Sequence, residues 1–162
     1  MAEAPHELRV PVLFGHAWAF ADNLGADDIL PARFARLPPA EAAGHLFADL
    51  DVSLAARLAG GVLVAGQNTG AGPGGEAAAR ALAAAGMVAV VAGSFAPGFA
   101  EALVTAGLPA LEVDAPAIFH TGQRVRLNLE AGTIANLSSG DRQPIRNLSE
   151  ALLARLRELL GR

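Results

Sequence analysis

Residues Gly61–Glu76 read GVLVAGQNTGAGPGGE, and their order decides the class of fold. The apolar run Gly61–Ala65 has the character of a buried strand, and a glycine-rich turn follows it into a helix beginning at Glu76. A turn of this kind offers backbone N–H groups and a helix N-terminus to an anion above it. Between Asn68 and Glu76 only Thr69 has a side chain suited to polar chemistry. The loop has the backbone of an active site and almost none of its reagents.

Working outward, the spacing predicts a helix over Glu76–Ala85 ended by Gly86, an apolar strand over Met87–Ala92, and a helix over Phe95–Ala106 ended by Gly107. Leu111–Val113 reads as a short strand. Upstream, Leu8–Phe14 and Gly15–Phe20 read as a strand or hairpin, and Asp22–Arg36 as a loop bounded by Pro31. Pro38 and Pro39 open a predicted helix over Ala40–Leu50. Downstream, Arg124–Leu129 and Thr133–Leu137 form a hairpin across Glu130-Ala131-Gly132. Ser149–Leu160 is an amphipathic helix with Leu152, Leu153, Leu156, Leu159 and Leu160 as its apolar stripe. The pattern is α/β, without internal repeat or domain boundary, so one domain over residues 1–162 is expected.

Composition narrows the function. Hydrophobic residues at 52% and charged residues at 17% describe a globular chain with a real core. A net charge of −4 argues against nucleic acid. With no cysteine, the chain has no disulfide and cannot hold a cysteine-ligated cluster. His6, His16, His45 and His120 lack metal-ligand spacing, so no metal site is expected; His45 and Trp18 read as packing residues. The N-terminus has no signal-peptide pattern and no apolar run spans a bilayer, so a cytoplasmic protein is expected.

Five segments in order resemble a known family: AFADNLGADDILPARF, LPPAEAAGHLFADLD, VLVAGQNTGAGPGGE, VAVVAGSFAPGFAEALVTAGLPAL and LNLEAGTIANLSSGD. From about Gly15 onward they resemble the small subunit of 3-isopropylmalate dehydratase, the swivel domain of the aconitase superfamily. The resemblance implies a β/β/α-type domain with a mixed sheet, docked on a large subunit that holds a [4Fe–4S] cluster. It implies reversible dehydration of a hydroxy-carboxylic acid, with iron as Lewis acid and a serine of the small subunit as base. Leucine biosynthesis is the setting that this implies.

Against the family's G-S-S-R-E-H this chain has Gly72-Pro73-Gly74-Gly75-Glu76-Ala77, so the serine base and its arginine are absent. In the family's S-F-A-R-x-F, Pro97 replaces a carboxylate-binding arginine. The expected function is therefore a swivel subunit with altered chemistry or a lid and scaffold role. The alternatives are an authentic 3-isopropylmalate dehydratase small subunit and a non-enzymatic anion-binding module. Candidate substrate or anion contacts are Asn68, Thr69, Gly70, Gly72, Glu76, Asp27, Arg36 and Ser94. Thr69 aligns with an aromatic position and reads as turned away; Glu76 reads foremost as a helix N-terminal charge. Asp27 could orient a neighbour or cap a loop, and Arg36 could reach an acidic substituent or lie solvated. Gly70–Gly75 also fits G-x-G-x-x-G, but Gly93-Ser94 stand where a ribose-binding acid belongs.

Overall fold

A computed structural model describes residues 8–161; His6 lies outside them. One seven-stranded mixed sheet organises the chain, in the order β4-β3-β2-β1-β5-β6-β7. Its strands are β1 Leu13–Ala19, β2 Gly61–Ala65, β3 Ala89–Ala92, β4 Ala110–Glu112, β5 Arg124–Asn128, β6 Thr133–Asn136 and β7 Arg142–Pro144. Strands β1 to β4 run parallel, and β5, β6 and β7 add antiparallel partners beyond β1. The helices are α1 Ala26–Ile29, α2 Pro39–Ala42, α3 Gly75–Ala84, α4 Phe99–Thr105 and α5 Glu150–Leu160.

Two apolar cores separate by strand alternation, since successive side chains leave opposite faces. Leu63, Ala65 and Val90 point to the side covered by the α1–α4 region, where Leu82, Phe99 and Leu103 meet them. Val62, Val64, Ala89 and Val91 point to the other side with Ala17, Val125, Leu127 and Ile134, under Phe119 and Leu156 of α5. Strands β2 and β3 are buried at every residue, which is why they read as unbroken apolar runs.

Several expected boundaries move, each for a local reason. β1 is one strand, not a hairpin, and starts only after Pro11. The stretch 22–36 contains α1 and a 3-10 turn, Ala32–Phe34. The expected helix over Ala40–Leu50 breaks after Ala42 into a 3-10 turn, Ala43–His45. Phe47 then takes φ +58, donates its N–H to Ile29 O and stacks on Phe20 at 4.8 Å; burying that ring overrides helix propensity. The expected helix over Phe95–Ala106 begins only at Phe99, because Phe95 bridges Thr69 and Ala96 donates to Thr69 O ahead of Pro97. β7 was not expected: it is three residues long, ends in Pro144 and lies on the sheet edge, where proline is tolerated. In α5, capped by the Ser149 side chain accepting from Leu152 N–H, Leu156 is buried as expected while Leu159 faces solvent.

Helix α5 is tied down by Arg157, whose guanidinium donates to Glu130 in the β5–β6 turn; Glu130 also accepts from Val10 N–H. These donors hold the Glu130 carboxyl down at about 2, the Arg157 hydrogen bonds contributing most. A depressed carboxylate pKa contributes stability above its unfolded value that is lost as pH falls through the folded one. Arg157→Ala should therefore cost about 1–2 kcal/mol at pH 7. The deficit relative to the parent should shrink below about pH 4.5 and vanish near pH 2. Paired thermal melts across that range check it; a deficit that persists undiminished near pH 2 rules out the pairing as its source.

Candidate active-site loops

At the C-terminal ends of β1, β2 and β3 three loops converge, the position where open parallel sheets place their ligands. The loop after β1 brings Asp22 and Asn23, the loop after β2 brings residues 66–74, and the loop after β3 brings residues 93–98. Backbone and short polar side chains lace them together. Gln67 N–H donates to Asp22 Oδ1 at 2.7 Å, and Asn23 N–H to Gln67 O at 2.8 Å. Asn68 N–H donates to Ser94 Oγ at 2.8 Å, and Asn68 Nδ2 to Asn23 Oδ1 at 3.2 Å. Asn23 and Asn68 both sit at positive φ, a conformation asparagine tolerates better than most residues.

Two glycines in this network are required by close approach. A Cβ at Gly66 would meet Asp22 Oδ1 at 1.9 Å, and one at Gly70, φ +87, would meet the Phe99 ring at 2.2 Å. Beyond Gly70 the loop opens. No acceptor among the described residues takes the N–H groups of Ala71, Gly72, Gly74, Gly75, Glu76 or Ala77, and α3 has no side-chain cap. A cavity of about 190 Å³ lies against this turn, lined by Gly72, Pro73, Glu76, Pro97 and Phe99 among others. A larger groove of about 450 Å³ continues from it between α3 and α4, lined by Glu76, Arg80, Glu101 and Thr105.

The expected site residues fall into three groups. Glu76, Gly70 and Gly72 line the cavity together with Gly75 and Pro97. Asn68 and Ser94 belong to the lacing beside it, Asn68 Nδ2 donating to Asn23 Oδ1 and Ser94 Oγ accepting from Asn68 N–H. Thr69 leaves the candidate set: it is fully buried and its hydroxyl donates to Gly66 O at 3.1 Å. Asp27 is exposed on α1, and its Oδ1 lies 3.6 Å from where a Cβ on Gly74 would stand. It is the carboxylate beside the position at which the family resemblance expects a serine. Arg36 is exposed between the Ala32–Phe34 turn and α2, away from the residues lining either cavity. His45 packs against Phe34 with ring centroids 4.0 Å apart, and Trp18 lies under the Arg57 guanidinium.

Sequence reasoning missed Arg80. It is exposed, forms no ion pair among the described residues, and lines the larger groove one turn beyond Glu76. The signal was available, since positions i and i+4 share a helix face.

The comparisons now decide the family. Residues 54–116 match the aconitase C-terminal domain. The 3-isopropylmalate dehydratase small subunit of Pyrobaculum neutrophilum is 37% identical over 86% of this chain and 89% of its own length. The chain belongs to the 3-isopropylmalate dehydratase small-subunit family. The 2,3-dimethylmalate dehydratase small subunit of Eubacterium barkeri is 34% identical over 78% of this chain and 79% of its own. The crystal structure of 3-isopropylmalate dehydratase from Methanocaldococcus jannaschii superposes with a TM-score of 0.77 at 28% identity, covering 91% of this chain and 95% of that one. The expected α/β swivel fold with a mixed sheet is thereby borne out.

As for metal, among the described residues no group of three or more His, Cys, Asp or Glu is placed to hold an ion, and the chain has no cysteine. Nor is any helix among them long and apolar enough to cross a membrane.

Proposed function

We propose that this chain is the small subunit of a two-subunit hydro-lyase of the 3-isopropylmalate dehydratase kind, acting on a small hydroxy-carboxylic acid. The supporting observation is the likeness to small subunits over 86% of the chain, together with loops converging at one end of its parallel strands. Two relatives carry names with branched malates, isopropylmalate and dimethylmalate, so a branched hydroxy-dicarboxylate is the substrate class. On this reading the chain is one swivel domain working in the cytoplasm, in leucine biosynthesis or a similar branched-acid route. The cysteine-free chain does not fit an iron–sulfur cluster; a [4Fe–4S] centre belongs to the large subunit.

What this chain contributes is backbone. The open N–H groups around Gly72 and Glu76 can donate to a substrate carboxylate in place of arginine side chains, helped by the α3 dipole. The relatives' names favour ordinary dehydratase activity for the pair. One observation favours a second reading: Pro73-Gly74-Gly75 and Pro97 place neither a base nor a cation at the mouth of the smaller cavity. On that reading the pair does altered chemistry, or this subunit is a lid and scaffold. Glu76, which lines the cavity, and Asp27 beside Gly74 are then the proton acceptors at hand. A base contributes roughly 10²–10⁴-fold, so the two readings separate widely.

The test is an anaerobic assay of the co-expressed pair with isopropylmalate and dimethylmalate. Turnover with either acid supports the hydro-lyase assignment. Turnover of isopropylmalate at ordinary rates removes the second reading, and no turnover of any hydroxy-dicarboxylate leaves only the scaffold role.

A further inference from the structure

The helices α1–α4 cover one side of β2, β3 and β4, and Trp18 of β1 packs into that same core under Arg57; at Phe14 and His16 of β1 and along β5, β6 and β7 that side carries no helix among the described residues. Because Ala17, Val125, Leu127 and Ile134 turn into the α5 core, their neighbours turn the opposite way. Register then sets them in rows: Phe14 opposite Arg126, Arg126 opposite Ala135, and Ala135 opposite Arg142; His16 lies opposite Arg124. Phe14 is 54% exposed and Leu137, which hydrogen-bonds beside Arg124, is 38% exposed.

The charge on this face is one-sided. The guanidinium groups of Arg124, Arg126 and Arg142 have no hydrogen bond or ion-pair partner among the described residues. Arg33, Arg57, Arg146, Arg155 and Arg157, elsewhere on the chain, each lie against a carboxylate. No Asp or Glu stands at any outward position of these four strands on this side. An unopposed arginine cluster around an exposed phenylalanine is the composition of an interface core, not of an ordinary solvated sheet, which alternates signs.

We infer that this face is the docking surface for an acidic, partly apolar surface of the large subunit, an inference that rests on the subunit reading above. Two observations select that occupant. A second copy meeting the same face about a two-fold axis would set arginines against arginines. And β1 leads from Phe14 and His16 on this face, past Trp18 with Arg57 over its ring, to the loop that bears Asp22 and Asn23, so this face and the candidate site lie along one strand. Charges of this kind steer encounter and fix orientation.

The test is a titration of the full chain against its large subunit at 0.05 and 0.3 M NaCl. The variants are Arg124→Glu/Arg126→Glu/Arg142→Glu together, Phe14→Ser, and Arg124→Ser, which needs only one exposed change should the triple variant not melt cooperatively. The parent pair should weaken about tenfold between the two salts. The triple variant should bind at least about 100-fold more weakly, and each single variant about fivefold or more. Equal affinity of parent and variants, or affinity indifferent to salt, overturns the docking face while leaving the subunit reading intact. A parent that binds no large subunit overturns both, and a homodimer abolished by the triple variant assigns the face to a second copy instead.

Discussion

On the altered-chemistry reading, replacing Pro73 and Gly74 by serine and Gly75 and Pro97 by arginine in the assembled pair is expected to raise isopropylmalate turnover at least about 100-fold over the unmodified pair. The backbone allows it. Gly74 has φ −85, where any residue is comfortable, and a Cβ there has its nearest neighbours at 3.6 and 3.9 Å. The 3.6 Å neighbour is Asp27 Oδ1, so a serine hydroxyl at 74 has a carboxylate within reach to accept its proton. A Cβ on Gly75 meets Phe99 at an ordinary 3.4 Å, and Pro97 is exposed at the cavity mouth. Arginines at 75 and 97 would supply bidentate carboxylate contacts where backbone N–H groups now stand alone. The readout is initial rate at saturating isopropylmalate under anaerobic conditions. Little or no gain would mean that the missing side chains are not what limits the reaction. An unmodified pair as fast as the variant would restore ordinary chemistry to this loop.

The second large effect lies one residue past the buried Thr69. Gly70→Ala should destabilise the chain by about 2–4 kcal/mol, combining a left-handed backbone with an overpacked core contact. At φ +87 an L side chain is strained whatever the space, and here the Cβ would overlap the Phe99 ring. Phe99 begins α4 and is itself buried, so the clash pushes on the helix that walls both cavities. Urea denaturation measures the loss. Gly72→Ala serves as comparison: its φ is +112 but nothing lies within 4 Å of its Cβ, so only the backbone strain remains, about 1–2 kcal/mol. Equal losses at the two positions would show that the Phe99 contact contributes nothing.

Legibility in the sequence followed how local each cause is. The strand–turn–helix at Gly61–Glu76 could be read because an apolar run, a glycine cluster and helix formers each act through near neighbours. The same holds for the Glu130–Gly132 hairpin, whose Gly132 has φ +72, and for α5 with its Ser149 cap. Phe47 could not be read: its left-handed backbone depends on Ile29 O and the Phe20 ring, contacts far away in sequence. β7 escaped because an edge strand three residues long gains its pairing from β6, not from its own composition. In the site, the replacement of the serine and arginines that the resemblance leads one to expect was plain from residues 73–75 and 97. The inward turn of Thr69 was legible too, whereas Asp27 at the side of Gly74 and the reach of Arg80 into the groove are products of packing between α1, α3 and α4.

The central claim is that this chain is one half of a site completed by a large subunit. Size-exclusion chromatography of the two subunits co-expressed anaerobically, monitored at protein and iron–sulfur wavelengths, tests it most directly. The account predicts a single brown peak containing both chains, and a colourless, folded peak when this chain is expressed alone. A chain that elutes alone and colourless beside its large subunit, at micromolar concentration and low salt, would contradict it.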